Sequence, residues 1–539
     1  MNVKIDDNKF FPRDSYKSSD GHELGVRKLY GSRVFADEST LETLCEFLNV
    51  VKGRKKFISH SSLAESDLYF PSLNCDDCTS LSYQVDYKLN LKLFSLYLGS
   101  NSSTLHESHK IQYEKLRDEL KAKIEITDQS KEIGKEKTID ILENLFMGFQ
   151  GVGVNRDWCA QSFLPVCQEF LTDETIWQAT AIRKAESGAT NSQIHELKDI
   201  RNSKQYFAKS SHNLYARSGE VLYLEILLAL QQSNANIEKV TVEEFKGIKF
   251  TDDEKNVAYL KDKLSKGIKH LLNENNVKIL GQVATFIDNL DDNLKFDNPQ
   301  EKSESSNHYN KIGWIPKENW KLGYLFAVEL TRILSNEYQI VEELGLIEKL
   351  IILQTIRRFN FISSSSLGIE KPLIAIIDID CPYSDVKEIS NATYSQCLLN
   401  IYNAEKNVVD DAVKLHYIDT RYGCGVFKKL SKEIGFVVPR TGDPVKFVLT
   451  NEMLNCLVAS TISPNKKMTL ESFLKQLKLR YGFIFDNEGL NEVNRRRGKQ
   501  QIISRSNTMD WLLKMLDESG YLIQLSDYLS LVTNSSVSR

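Results

Sequence analysis

Two aspartates, Asp378 and Asp380, close the apolar run "KPLIAIIDID" at 371 to 380, and Asp385 stands just beyond them. On a strand, residues i and i+2 share a face, and carboxylates held at a strand end are a common way to bind Mg²⁺ for phosphodiester cleavage. The same residues also suit a buried strand running out into solvent at a Pro382 turn. No glutamate, lysine or histidine at recognisable spacing joins the pair, so a metal-dependent nuclease built on Asp378 and Asp380 is an alternative reading.

The other chemistry-bearing stretch is cationic. Residues 491 to 506, which contain "NRRRGKQQIISR", hold Arg495, Arg496, Arg497, Lys499 and Arg505 against one acid, Glu492. Arginine and lysine clustered on a loop can lie along a phosphate backbone, and five such contacts would give a log–log salt slope of roughly −4 to −5. Arginine runs also dock acidic protein partners or simply face solvent.

Two further motifs offer less. Gly151 and Gly153 in "MGFQGVGVNRDWCAQSFLPV" follow a helical pattern, whereas a dinucleotide loop needs a strand before it and a third glycine. A packed corner anchored by Trp158 accounts for them better than a site on Arg156, Asp157 or Cys159. Cys75 and Cys78 form a C-x-x-C without the second ligand pair that zinc requires. The chain has no P-loop, H-E-x-x-H or G-x-S-x-G. His212 reads as a polar residue near a helix start. No metal and no cofactor is expected.

These residues must be positioned by a framework that is mostly helical. "STLETLCEFLNVV" is an amphipathic helix that Ser39 can cap. Helical patterns recur at 137–149, 213–232 and 255–274, and in "NWKLGYLFAVELTRILSN" and "IVEELGLIEKLIILQTIRRF". Near the end, "TLESFLKQLKLRYG" offers Thr469 as N-cap and Gly482 as a left-handed stop before Phe483 to Phe485. "NTMDWLLKMLDESGYLI" repeats the plan with Asn507 or Thr508, then Gly520.

A chain of 539 residues exceeds one core. The expected divisions are an α+β region at 1–130, a helical domain at 131–295, a linker at 296–311, a helical or αβ domain at 312–445 with a buried strand at 371–380, and a winged-helix-like domain at 446–539. The fold class is mainly α with minor β (α+β), multidomain. Composition is that of a globular protein, 41% hydrophobic and 26% charged. A net charge of −4, from 69 basic and 73 acidic residues, provides no global field for nucleic acid or lipid, so any such site is local. The segment "MNVKIDDNKFFPRD" lacks an apolar signal core, "VLYLEILLAL" is too short to span a bilayer, and nine scattered cysteines suit reduced thiols, so the expected location is the cytoplasm.

The two C-terminal helix patterns, with "GVNRDWCAQSFLPV" and "LYARSGEVLYLEILLAL" upstream, resemble accessory proteins encoded in bacterial phage-defence operons, of the Druantia type or linked to phosphorothioation-dependent (Dnd) restriction. The resemblance covers about a fifth of the chain and brings no catalytic signature. It implies residence in a bacterial cytosol, action within a multi-subunit complex beside a helicase, ATPase or nuclease, and DNA as the target. The leading expectation is a non-enzymatic, DNA-associated subunit whose C-terminal basic loop contacts the backbone without reading sequence and which has no membrane partner. A scaffold whose arginines grip an acidic protein is the third reading.

Overall fold

The computed structural model describes residues 9–12, 24–31, 34, 36, 38–59, 62–73, 78–84, 117–118, 120–125, 134–145, 165–171, 175–177, 207–209, 218–273, 277–288, 309–409, 412–499, 509–526 and 529–534. Cys75, the expected corner at 151–159, His212, most of the expected linker at 296–311, the expected caps Asn507 and Thr508, and Arg505 lie outside them. The described chain is mainly helical with several small sheets.

Four helices form its centre. α1 (Thr40–Lys52) starts at Ser39, whose hydroxyl accepts from the Glu42 N–H while the Glu42 carboxylate accepts from the Ser39 N–H. This capping box satisfies two backbone donors the helix cannot satisfy itself. α2 (Ser218–Ala229) is buried along its whole length, as suits a helix apolar on every side. α3 (Trp320–Leu334) and α4 (Ile340–Ser366) enclose it. Ser363 to Ser366 form the last turn of α4, where the Ser363 and Ser364 hydroxyls donate back to the Phe359 and Asn360 carbonyls.

Two glycines let these helices touch backbone to backbone. A Cβ on Gly219 would lie 2.4 Å from the Phe47 nitrogen of α1, and one on Gly323 would lie 2.1 Å from the Glu225 carbonyl oxygen of α2.

A charged network is buried at the same crossing. Glu329 on α3 accepts two hydrogen bonds from Arg357 on α4, both 2.9 Å, and one of 3.0 Å from Arg480, and all three side chains are fully buried. Gln354 accepts from Arg357 at 2.8 Å and donates to Glu225 at 2.9 Å, and Glu225 in turn pairs with Arg358. Burial pushes the Glu329 carboxyl up, but Arg357 and Arg480 more than offset it and hold the group below the usual carboxylate range. Buried ions persist only when paired and hydrogen-bonded in this way.

Three of the sheets matter for the layout. β1 (Arg54–Ser59), β2 (Ser62–Ser66), β3 (Ser80–Gln84) and β4 (Asn310–Lys311) form an antiparallel sheet in the order β2-β1-β3-β4. The second sheet contains the expected buried strand, β5 (Ile374–Ile377), all four residues of which are buried. With β6 (Val437–Val438), β7 (Lys446–Val448) and β9 (Phe483–Ile484) it has the order β6-β7-β5-β9, and β7 and β9 run parallel to β5 on either side. α5 (Ser384–Lys406) packs on this sheet. The third sheet is antiparallel, in the order β8-β11-β10, from β8 (Lys466–Thr469), β10 (Leu522–Ser526) and β11 (Leu529–Asn534).

The helices around these strands are α6 (Asn451–Thr461), α7 (Leu470–Tyr481), α8 (Asn487–Arg496) and α9 (Asp510–Glu518). Thr469 caps α7 by accepting from the Ser472 N–H, and Gly482 ends it at φ 78°. Gly520 likewise follows α9 at φ 74°. The expected division at 446 runs through the second sheet, since β7 and β9 on its far side pair with β5 on its near side. Strands of two to four residues gain little alone and are stabilised by that shared sheet.

Glu405, fully buried at the end of α5, lies beside Asp419, and burial, followed by the Asp419 charge, pushes its carboxyl well above the usual range. The folded chain therefore keeps a proton that the unfolded chain releases, and the associated stability is lost as pH rises above the ordinary glutamate pKa. Glu405→Gln is expected to stabilise the protein at pH 8 more than at pH 5 in urea unfolding. Equal shifts at both pH values would refute a protonated Glu405.

Candidate nucleic-acid interface

The basic cluster closes a helix; the exposed loop expected from sequence is not what holds its first members. Asp486 caps α8 by accepting from the Gly489 N–H at 2.7 Å, and Leu490 and Val493 seat the helix against Ala375, Ile377, Val386 and Ile389. Arg495 and Arg496 form its last turn, Arg497 follows, and Gly498 turns the chain at φ 70°. Cations at this end complement the negative pole of the helix dipole, a structural reason for their position.

Tertiary packing brings carboxylates to the cluster. Arg496 pairs with Glu492 at 2.7 Å and with Glu370 at 3.0 Å, and donates to the Lys371 carbonyl at 3.2 Å. Glu492 also holds Lys478 at 2.6 Å. Arg497 pairs with Glu388 at 3.2 Å, and Lys499 pairs with the same carboxylate oxygen. Lys499 and Arg497 together hold Glu388 below the usual carboxylate range. Burial raises the Glu492 carboxyl, and Lys478 and Arg496 outweigh that and lower it. Arg495 is exposed and makes no ion pair with a described residue. Five cations (Arg495, Arg496, Arg497, Lys499, Lys478) thus face three acids (Glu370, Glu388, Glu492), where the sequence alone shows only Glu492 against the run.

Asp378 and Asp380 do not share a strand face. β5 ends at Ile377, and the Asp380 N–H donates to Asp378 Oδ1 at 3.2 Å in a turn, with Asp380 exposed. Asp385 lies in the first turn of α5. Among the described residues no group of three or more His, Cys, Asp or Glu could hold a metal ion. Cys78 is buried, its thiol donating to the Ser80 carbonyl.

The chain matches no protein-family model, and neither curated proteins nor solved structures give a significant match. Sequence reasoning missed Lys478, Glu370 and Glu388 because none lies in the cationic run. It also passed over the buried network, whose signal was present: Arg357, Arg358, Glu225 and Glu329 are charges inside otherwise apolar helices, and such charges need partners. No helix among the described residues is long and apolar enough to cross a membrane.

Proposed function

We propose that this chain is a non-catalytic, DNA-associated subunit of a bacterial anti-phage defence or restriction machine, resident in the cytoplasm beside a helicase, ATPase or nuclease partner. The observation that carries the reading is the exposed turn at the end of α8, where Arg495, Arg496, Arg497 and Lys499 fall within five residues. Their carboxylate partners are surface groups, and exposed ion pairs contribute only about 0–1 kcal/mol, so a phosphate backbone can displace them. The competition lowers the expected footprint to about one to three net contacts and a salt slope of roughly −1 to −3.

The element order α6, β8, α7, α9, β10, β11 with the sheet order β8-β11-β10 supports a winged-helix reading of this part of the chain, in which β9 with α8 is an insertion between the second and third helices. On this reading the basic turn belongs to the insertion. α9 carries Asp510, Asp517 and Glu518 against Lys514, which suits it poorly to the major groove and favours backbone contact without base reading. A second reading, a protein scaffold, is favoured by the β10–β11 hairpin, where Ile523, Leu525 and Leu529 are 38%, 57% and 43% exposed beside that acidic helix.

Gel-shift titrations over a range of salt separate the two. Combined Arg495→Ala and Arg497→Ala is expected to weaken duplex binding and flatten the salt slope. Glu388→Gln, which releases Arg497 and Lys499, is expected to tighten binding. If neither change moves affinity or slope, the backbone reading is wrong and the scaffold reading takes its place.

A further inference from the structure

Beneath Arg496 a cavity of about 310 Å³ opens between the segment after residue 243, the end of α4, the approach to β5 and the end of α7, a size typical of small-molecule sites. Phe245, Phe361, Leu373 and Leu479 give it apolar walls. Gly482 lines it as well, and a Cβ there would lie 2.4 Å from the Pro372 carbonyl oxygen, so only glycine allows this close approach. Four cations line the cavity, Lys246, Lys371, Lys478 and Arg496, together with two acids, Glu244 and Glu370, and Glu492 outside the lining holds Lys478 and Arg496, so that two of the four cations, Lys246 and Lys371, are left over.

Both acids are already engaged, Glu244 by Lys321 at 2.5 Å and Glu370 by Arg496 at 3.0 Å. Lys246 and Lys371 pair with no carboxylate among the described residues, and the Lys371 ammonium sits over the Phe361 ring, 4.4 Å from its centroid. An apolar chamber with uncompensated positive charge fits a ligand with an apolar body and a dianionic head. A phosphate monoester carries about −1.5 to −2 at neutral pH, which matches the surplus.

We propose that this cavity binds a nucleoside phosphate, with the base against the apolar walls and the phosphate at Lys246 and Lys371, the two lining cations that no described carboxylate holds. The choice of a nucleotide over another organic phosphate rests on the neighbouring backbone-binding turn proposed above; the two free lysines and the apolar walls do not depend on it. The same chemistry is offered by a free mononucleotide and by the 5′-phosphorylated end of a strand.

Calorimetric titration of the full chain with AMP, adenosine, inorganic phosphate, and a short single strand with and without its 5′-phosphate tests the assignment. AMP or the phosphorylated strand is expected to bind at least about tenfold more tightly than adenosine, inorganic phosphate or the unphosphorylated strand, as loss of a charge-assisted contact implies. Tighter binding of the strand identifies a strand end, and tighter or equal binding of AMP identifies a free nucleotide. Leu479→Trp, which fills the chamber, and Lys371→Met, which keeps the stem and removes the charge, are each expected to weaken binding about tenfold with an unchanged melting profile. Absence of binding by both phosphorylated probes, or binding indifferent to both substitutions, overturns the proposal. The doubly substituted Arg495/Arg497 protein keeps the two readings apart, since neither residue lines the cavity. Nucleotide binding retained with duplex binding lost upholds both, while duplex binding without nucleotide binding overturns this one alone.

Discussion

Replacing Glu329 with alanine is expected to destabilise the protein by about 3–5 kcal/mol, because it strands Arg357 and Arg480 in the core without a counter-ion. The loss dwarfs the effect of removing any ion pair at the surface cluster, which is about 0–1 kcal/mol. Urea unfolding of wild type and Glu329→Ala measures it directly. A triple change, Glu329→Leu with Arg357→Met and Arg480→Met, is expected to recover most of the loss, since an apolar replacement removes the desolvation cost along with the attraction. A Glu329→Ala protein as stable as wild type would mean that these guanidiniums reach water or other acceptors. The wild-type network also has an acid limit: Glu329 is held below the usual carboxylate range, so its contribution is present above the ordinary glutamate pKa and lost as pH falls through its folded value.

Gly323→Ala gives the second large effect, with the opposite sign from helix propensity. Alanine in a helix interior is favoured over glycine by about 1 kcal/mol. Here the added Cβ would stand 2.1 Å from the Glu225 carbonyl oxygen and 2.4 Å from its carbon, and backbone cannot swing aside. α2 and α3 must part, which pulls Glu225 from Gln354 and Arg358. Overpacking of this kind costs about 1–3 kcal/mol, and the coupled loss of buried pairing places Gly323→Ala at the upper end. A urea midpoint at or above that of wild type would show that the helices have room to separate.

Much of the local structure was legible in the residues. Ser39, Thr469, Gly482 and Gly520 mark helix ends where the structure has them, and "KPLIAIIDID" contains its strand. The Asp378 and Asp380 turn was legible as one of two readings, a strand running out into solvent toward Pro382, but composition could not choose between it and a shared strand face until the ladder was counted. That one sheet crosses the expected division at 446 was not legible in the residues, because pairing of β7 and β9 with β5 is a property of distant partners.

By itself the sequence determined where helices begin and stop, which faces are apolar, and that a run of arginines exists. Caps, periodicity and glycine stops act between residues a few positions apart, so they are written within single segments. Only the folded chain decided what those arginines meet, by carrying Glu388 to Arg497 across 109 residues and Glu370 to Arg496, and by lining one cationic pocket with residues from five separate stretches. Contact between opposite charges depends on distance in space and is screened by salt over about 8–10 Å, so the partner of an ion is settled by packing of the whole and not by its neighbours in the chain.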